Sequence, residues 1–275
     1  MRSRYLFILS CAFLASCGND AEKTNTDTTT TTAKEELVPE ISYTLLRKIP
    51  HDTTSFTEGF LVHDGKLFES TGSPSDMDYL RSVLGPVDTT TGKISIKAEL
   101  DRKTYFGEGI VFVKDKVYQL TYKNQIGFIY DAKTFKQLGR FSFNSKEGWG
   151  MTTDGTSIIM SDGTNVLTYI DPTTMKETKK VNVTNAGYAE DYVNELEYID
   201  GFIYANVLGK SYIIKIDPQS GKVCGLLNMA NITDDANSKN PNCDVLNGIA
   251  YDPASKMTYI TGKMYKDIYI INFKH

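Results

Sequence analysis

The sequence has few of the residues that commonly bind metal ions. It has three histidines, which lie far apart in the chain: His51, His63 and His275. It contains no Cys-x-x-Cys motif, and beyond residue 17 only Cys224 and Cys243 remain. Because zinc sites usually draw on closely spaced cysteines and histidines, we expect no metal site and no cofactor.

Other absences exclude further classes of protein. No cluster of Lys and Arg with interleaved aromatic residues is present, and the formal net charge is -4, so nucleic acid is not an expected partner. No long segment has the apolar periodicity of an amphipathic helix, which argues against an α/β fold. The apolar run at residues 5–15 is too short to span a bilayer.

What the chain does contain is a segment that recurs five times, each copy with a glycine or a polar residue inside a short apolar strand. The copies are Thr57-Glu58-Gly59-Phe60-Leu61, Gly107-Glu108-Gly109-Ile110-Val111, Gly148-Trp149-Gly150-Met151, Asn194-Glu195-Leu196-Glu197 and Leu246-Asn247-Gly248-Ile249-Ala250. With Glu58, Glu108, Trp149, Glu195 and Asn247 taken as equivalent, the spacings are 50, 41, 46 and 52 residues. A period of this length with several short strands per unit is typical of a β-propeller.

Each unit continues with a turn and further strands. In the first unit the predicted strands cover residues 57–61, 66–70, 79–87 and 93–100. The fifth unit stops at His275 after its third strand, and the segment Ile41 to Ile49 resembles the missing fourth strand. Since closing the ring removes exposed sheet edges, we predict an all-β, five-bladed propeller over residues 41–275. It has four antiparallel strands per blade and is closed by its N-terminal strand.

The residues before the propeller indicate export. Arg2 and Arg4 precede the apolar run, which ends in a Leu14-Ala15-Ser16-Cys17 motif that resembles a bacterial lipoprotein cleavage box. We therefore predict a signal peptide over residues 1–16, a lipidated Cys17, and a Thr-rich tether over residues 17–40. The alternative is an ordinary signal peptide with an incidental cysteine. Either way the expected location is the bacterial cell envelope, on the periplasmic side or at the cell surface.

Export also permits a disulfide bond between the two remaining cysteines. Cys224 and Cys243 are 19 residues apart, one at the end of a predicted strand and one in the loop that follows. A disulfide and two free thiols are both consistent with this spacing, because sequence does not give the distance between them.

Propeller geometry predicts where polar residues meet. The first strand of each blade lines the central channel and the second runs antiparallel to it, so the start of one and the end of the other share a rim. First strands bring Glu58, Glu108, Trp149, Asn194, Glu195 and Asn247 to this rim, and second-strand ends bring Tyr122, Asp162, Asn206, Leu208 and Lys263. Charged groups gathered at a channel mouth are costly without a function.

The same segments carry a family resemblance. Phe56-Thr57-Glu58-Gly59, Phe106-Gly107-Glu108-Gly109, Glu147-Gly148-Trp149-Gly150, Asn194-Glu195-Leu196-Glu197, Leu246 to Asp252 and Thr261-Gly262-Lys263 resemble the plant and bacterial glutaminyl-peptide cyclotransferases of the five-bladed propeller type. The resemblance runs from about Ser55 to Lys263. It implies conversion of N-terminal glutamine in peptides or proteins to pyroglutamate, with release of ammonia and without a metal. We expect a monomer that meets the membrane only through its lipid anchor.

The resemblance also implies roles for individual residues. Glu108 would be the proton shuttle, Asn194 would hold the carboxamide or α-amine, and Lys263 would supply positive charge near the oxyanion. The predicted substrate-binding residues are Phe56, Glu58, Phe106, Tyr122, Trp149 and Leu208. Structural alternatives are backbone-amide binding by Glu108, turn capping by Asn194, channel packing by Trp149 and an ion pair between Lys263 and a rim carboxylate.

Three positions depart from the family pattern, which usually has glutamine at Glu58, tryptophan at Tyr122 and an aromatic residue at Leu208. Two rival functions therefore stay open: a non-catalytic propeller that binds a peptide or envelope partner, and a calcium-dependent lactonase-like propeller with Glu58, Glu108 and Asn194 as ligands. Lys263 argues against the second, because a lysine beside the ion would repel it.

Overall fold

The computed structural model describes residues 37–275 as five four-stranded antiparallel sheets, with one additional two-stranded hairpin. The strands in chain order are β1 (Tyr43–Pro50), β2 (Thr57–His63), β3 (Lys66–Thr71), β4 (Val83–Pro86), β5 (Ala98–Glu99), β6 (Gly107–Val113), β7 (Lys116–Thr121), β8 (Ile126–Asp131), β9 (Gln137–Ser142), β10 (Met151–Thr153), β11 (Ile158–Met160), β12 (Val166–Ile170), β13 (Glu177–Asn182), β14 (Thr184–Asn185), β15 (Tyr188–Ala189), β16 (Val193–Ile199), β17 (Phe202–Val207), β18 (Tyr212–Ile216), β19 (Val223–Asn228), β20 (Leu246–Asp252), β21 (Met257–Gly262) and β22 (Asp267–Phe273). One helix, α1 (Ala230–Lys239), lies between β19 and β20. The predicted five-bladed propeller is confirmed.

The ring closes as predicted. β1 pairs antiparallel with β22, from Tyr43 opposite Phe273 to Pro50 opposite Asp267, so the fifth blade has the order β1-β22-β21-β20. The chain contacts the propeller slightly before the predicted boundary. The Ile41 N–H donates to the Leu226 carbonyl at 2.7 Å, and Glu40 forms an isolated bridge with the same residue.

The hydrophobic core is divided among the junctions between blades. One buried cluster combines Leu167 and Val181 of the third blade with Leu196 and Ile214 of the fourth. Comparable clusters lie at the other four junctions, and Ile49 of β1 belongs to the one between the fifth and first blades. A single blade therefore cannot bury its own apolar faces, and the ring is stabilised as a unit.

The first strands meet backbone to backbone around the channel, and glycines make this approach possible. A Cβ on Gly59 would lie 2.7 Å from the Ile110 nitrogen, and one on Gly109 would lie 2.6 Å from the Met151 nitrogen. In the fourth blade this position is Glu195. Its carboxylate accepts the N–H groups of Phe60, at 3.2 Å, and Ile249, at 2.9 Å, and so links three blades.

The structure corrects three other details. β4 and β5 are shorter than the strands predicted for residues 79–87 and 93–100. Leu80 instead lies in a turn and is buried with Phe56 and Met264. Helix α1 replaces a predicted loop, because Ile232 and Ala236 pack onto the core between the last two blades. The β14–β15 hairpin was not predicted.

The disulfide bond considered from the sequence is not formed. Cys224 is exposed on β19 with its Sγ near the Lys215 carbonyl, whereas Cys243 packs beside the fifth blade with its Sγ 3.3 Å from Asn237 Oδ1. The two thiols contact different elements, so both are free. The predicted signal peptide, Cys17 and most of the tether lie outside the described residues. No helix in residues 37–275 is long and apolar enough to cross a bilayer.

Candidate active site

A pocket of about 200 Å³ opens at the predicted rim. The side chains that line it are Phe56, Glu58, Pro74, Phe106, Glu108, Tyr122, Trp149, Asn194, Leu208 and Lys263. All nine residues proposed from the sequence as catalytic or substrate-binding therefore lie around one cavity. Pro74 was missed, although it follows the end of the second strand of the first blade, as Tyr122 does in the next blade.

β-Bulges aim the central residues at this pocket. The pairing of first and second strands shifts register after Thr57, Gly107, Val193 and Leu246. The residue that follows each of these four has no partner on the second strand, as is usual where a β-bulge redirects a side chain. Glu58, Glu108 and Asn194 are three of these residues and line the pocket. The fourth, Asn247, does not line it, and its Nδ2 donates to the Thr57 carbonyl at 2.9 Å. Asn194 is therefore the counterpart of Glu108 in the fourth blade, and the alignment on Glu195 was wrong by one residue.

Not every residue predicted at the rim reaches the pocket. Glu195 lies deeper in the channel, where it binds backbone amides. Asn206 accepts the Gly248 N–H at 2.8 Å, and Asp162 binds the Thr164 N–H and hydroxyl in a turn. Structural roles explain these three side chains.

Glu108 is the least constrained charged group of the site. Its side chain is buried, yet no group among the described residues hydrogen-bonds to its carboxyl, whereas its backbone carbonyl accepts the Ser70 hydroxyl at 2.7 Å. Burial raises the pKa of Glu108 well above its ordinary value, and the charge of Glu58 raises it further, while Lys263 lowers it. Because nothing in the described structure binds this carboxyl, it is free to exchange a proton with a ligand.

Glu58, by contrast, is held on both oxygens. Lys263 Nζ donates to Oε1 at 2.7 Å, and Asn247 Nδ2 lies 3.3 Å from Oε2. Burial raises the pKa of Glu58 to about 7, although the charge and hydrogen bond of Lys263 lower it. The alternative in which Lys263 forms an ion pair with a rim carboxylate is thus the arrangement in the structure. Lys263 Nζ also lies 4.5 Å from the centre of the Phe56 ring.

The side-chain oxygen of Asn194 is a hydrogen-bond acceptor that no described donor reaches. Its Oδ1 is buried and has no hydrogen-bond partner among the described residues. Its backbone carbonyl accepts the Ser161 hydroxyl at 2.7 Å, which fixes the main chain at the bulge. An unsatisfied buried oxygen is costly, so this atom is suited to an N–H donor of a ligand.

Trp149 forms one wall of the pocket. Its Nε1 donates to Glu147 Oε2 at 3.0 Å, and its ring lies against Gly163, where a Cβ would approach to 2.5 Å. The Phe56 and Phe106 rings also line the pocket and meet edge to face with centroids 6.1 Å apart. Tyr122 packs on Phe106 at 5.7 Å. The aromatic walls restrict access of water to the Glu108 carboxyl.

No three His, Cys, Asp or Glu side chains within residues 37–275 are close enough together to bind one metal ion. The site instead combines an uncommitted carboxyl, an ion pair, an unpaired amide oxygen and aromatic walls. This set can move a proton and stabilise a developing negative charge.

Comparison with known proteins agrees with the fold. The family model described as glutamine cyclotransferase matches residues 15–273. The chain belongs to the glutamine cyclotransferase family. A glutaminyl-peptide cyclotransferase of Arabidopsis thaliana is 37% identical over 232 residues, which cover 84% of this chain and 71% of that protein.

A solved structure supports the same assignment. The crystal structure of Myxococcus xanthus glutaminyl cyclase matches with a TM-score of 0.78 and 29% identity, over 87% of this chain and 99% of that one. The three positions of this chain that depart from the family resemblance, Glu58, Tyr122 and Leu208, all line the pocket. The departures therefore concern the site and not the scaffold.

Proposed function

We propose that the protein is a glutaminyl-peptide cyclotransferase that converts N-terminal glutamine to pyroglutamate, releases ammonia without a metal, and uses Glu108 as its proton shuttle. The observation that supports this most directly is the buried Glu108 carboxyl, free of partners and with a raised pKa, in a pocket of about 200 Å³. Pockets for drug-sized ligands usually measure about 300–1,000 Å³, so this one suits a single residue.

The first step is deprotonation of the α-amine. The bound substrate brings an ammonium group to Glu108, and this positive charge lowers the pKa of the carboxyl and favours its ionised form. Glu108 then accepts a proton from the amine, while the free Oδ1 of Asn194 accepts another amine N–H and orients the nitrogen. The amine lone pair is thereby directed at the side-chain carboxamide carbon.

Ring closure forms a bond from the α-nitrogen to the carboxamide carbon and places negative charge on the carboxamide oxygen. Lys263 uses one N–H on Glu58 and has others to donate to this oxygen. Glu108 gives its proton to the amide nitrogen and takes the second proton of the ring nitrogen. As the carbonyl re-forms, the bond between the carbon and the amide nitrogen breaks and ammonia leaves, after which Glu108 passes the remaining proton to solvent. The walls formed by Trp149, Phe56 and Phe106 exclude water that would otherwise compete with the amine.

Incubation of the purified protein with a glutamine-first peptide tests this proposal. We expect ammonia in solution and a peptide lighter by one ammonia, at the same rate with and without a chelator. A protein that folds correctly, binds the peptide and releases no ammonia would instead be a peptide-binding propeller. A rate abolished by the chelator and restored by calcium would favour the lactonase-like alternative.

We also infer that Cys17 is lipidated and anchors the enzyme in a bacterial envelope. The support is the Leu14-Ala15-Ser16-Cys17 motif after an apolar run. Expression in a bacterium should give a membrane-bound protein whose mature N-terminus is a lipid-modified cysteine by mass spectrometry. Cys17→Ser should abolish the modification. An unmodified N-terminus in the parent protein would indicate an ordinary signal peptide.

A further inference from the structure

The peptide that follows the substrate glutamine needs a path out of the pocket. A second cavity of about 360 Å³, near Glu197 and Tyr251, shares no lining residue with the pocket, and neither does a third near Asp244. A groove of about 480 Å³ between the first two blades does share residues with it, namely Pro74, Phe106 and Tyr122. This groove is therefore continuous with the pocket wall and can receive the next peptide residues.

The groove is positively charged in a chain that is negative as a whole. Its charged lining residues are Arg102, Lys103, Lys123 and Asp76, whereas the formal net charge of the chain is -4. Lys123 is partly neutralised, because its Nζ lies 3.8 Å from Glu147 Oε1. Within the described residues neither Arg102 nor Lys103 forms a salt bridge. Their positive charge is available to a ligand. The negative charges of Asp76 and of Asp101, which is next to Lys103 in the chain, reduce it.

Arg102 also holds the wall in place. Its guanidinium donates to the Asp78 carbonyl at 2.6 Å and to the Pro74 carbonyl at 2.9 Å. These bonds fix the loop that separates the pocket from the groove, so the positive charge has a defined position. Lys103 is exposed and its side chain makes no hydrogen bond within residues 37–275, which makes it the better residue to vary.

We propose that this groove binds the second and third residues of the peptide and that Arg102 and Lys103 favour substrates with acidic residues there. This inference rests on the proposed function, because it assigns a substrate class to the same site. Exposed charge pairs are weak, so the preference is modest and sensitive to salt. It acts on binding of ground state and transition state alike and therefore changes KM more than kcat.

Three peptides of equal length, each with a free N-terminal amine and a blocked C-terminus, test the proposal. They begin with Gln-Glu-Glu, Gln-Ala-Ala or Gln-Lys-Lys. At low salt we expect kcat/KM for the acidic peptide to exceed that for the basic peptide by about threefold or more, with the gap narrowing at high salt. Lys103→Glu should reduce or reverse the gap. Lys133→Glu makes the same change in charge in the β8–β9 turn, away from the groove, and should preserve it.

The two proposals fail in different ways. Equal kcat/KM for all three peptides, with normal ammonia release, would refute the groove and leave the activity intact. If no peptide releases ammonia, the affinity of each peptide still tests the groove. Trp149 is the only tryptophan, so its fluorescence can report how tightly each peptide binds to the Glu108→Gln variant. Tighter binding of the acidic peptide would support the groove, and equal or reversed affinities would overturn it.

Discussion

Two carboxyls in one small pocket differ in their partners. Glu58 gives both oxygens to Lys263 and Asn247, whereas Glu108 has no partner for its carboxyl among the described residues. When two neighbouring carboxyl groups lie in different environments, they commonly take different roles in catalysis. In the proposed mechanism, Glu58 tunes the electrostatics of the pocket and Glu108 transfers the proton.

The first prediction concerns Glu108. Glu108→Gln keeps the size and a hydrogen-bonding oxygen but removes the exchangeable proton, so we expect kcat to fall by about 100-fold or more. Circular dichroism and the Tm should show a folded protein, because no hydrogen bond to the Glu108 carboxyl is lost. Full activity in this variant would exclude Glu108 as the proton shuttle.

The second prediction concerns Glu58. Its negative charge raises the pKa of Glu108, after the larger effect of burial, and it also engages Lys263, whose charge would lower that pKa. Glu58→Gln removes this repulsion, and the positive charge of Lys263 is then no longer neutralised by a carboxylate at position 58. Both changes favour ionised Glu108, so the acidic limb of the kcat/KM profile should move to lower pH. A limb that does not move would mean that the two carboxyls are uncoupled in the working enzyme.

At the scale of the element, β1 decides whether the ring is closed. The third prediction is that a protein starting at Pro50 is less stable than one starting at Leu37 by at least about 2 kcal/mol, because burying an aliphatic side chain such as Ile49 alone contributes about 1.5–3 kcal/mol. Removal also exposes the edge of β22. Denaturant unfolding should show a single transition at lower concentration. Equal midpoints for the two proteins would contradict closure by β1.

The elements that could be predicted from the sequence are those whose signals repeat. Five similar first strands gave the blade number, and the missing fourth strand at His275 pointed to residues 41–49. Helix α1 could not be predicted, because its Asn, Asp, Thr and Ser residues are weak helix formers and packing of Ile232 and Ala236 holds it. Propensity was overridden there by tertiary contacts.

The sequence was sufficient to predict which residues line the site, but not how they are arranged. Resemblance and strand order located nine of the ten lining residues. The one-residue error at Glu195 arose because both Asn194 and Glu195 are polar, and a bulge leaves no periodic trace that distinguishes them. The Lys263–Glu58 pair and the free thiols depend on distances between blades, which no local pattern contains.

At the scale of the whole molecule, the propeller has several buried or half-buried acids with raised pKa values. Burial raises the pKa of Glu197 to about 8 and that of Glu58 to about 7, and it also raises those of Glu108 and Glu195. Each group holds its proton in the folded protein at pH values where the unfolded chain has lost it. The folded state then binds more protons, so the free energy of unfolding falls as pH rises.

The fourth prediction follows from this sign. The Tm should decline between about pH 5 and about pH 8, since each group contributes up to about 1.4 kcal/mol per pH unit within its own window. Glu197→Gln keeps an acceptor for the Tyr251 N–H, which lies 2.8 Å from Oε1, and should make the decline shallower. A Tm that rises with pH over this range would show that these acids are ionised in the folded state.

The pairing of β1 with β22 also bears on the rate of folding. These are the first and last strands of the described chain, so the fifth blade is complete only when both of its ends have met. Contacts between such distant residues form slowly. Tyr43 lies opposite Phe273, so a tight turn joining these ends, with new termini opened between residues 50 and 55, would make the fifth blade an unbroken meander. Such a circular permutant should refold faster while presenting the same pocket.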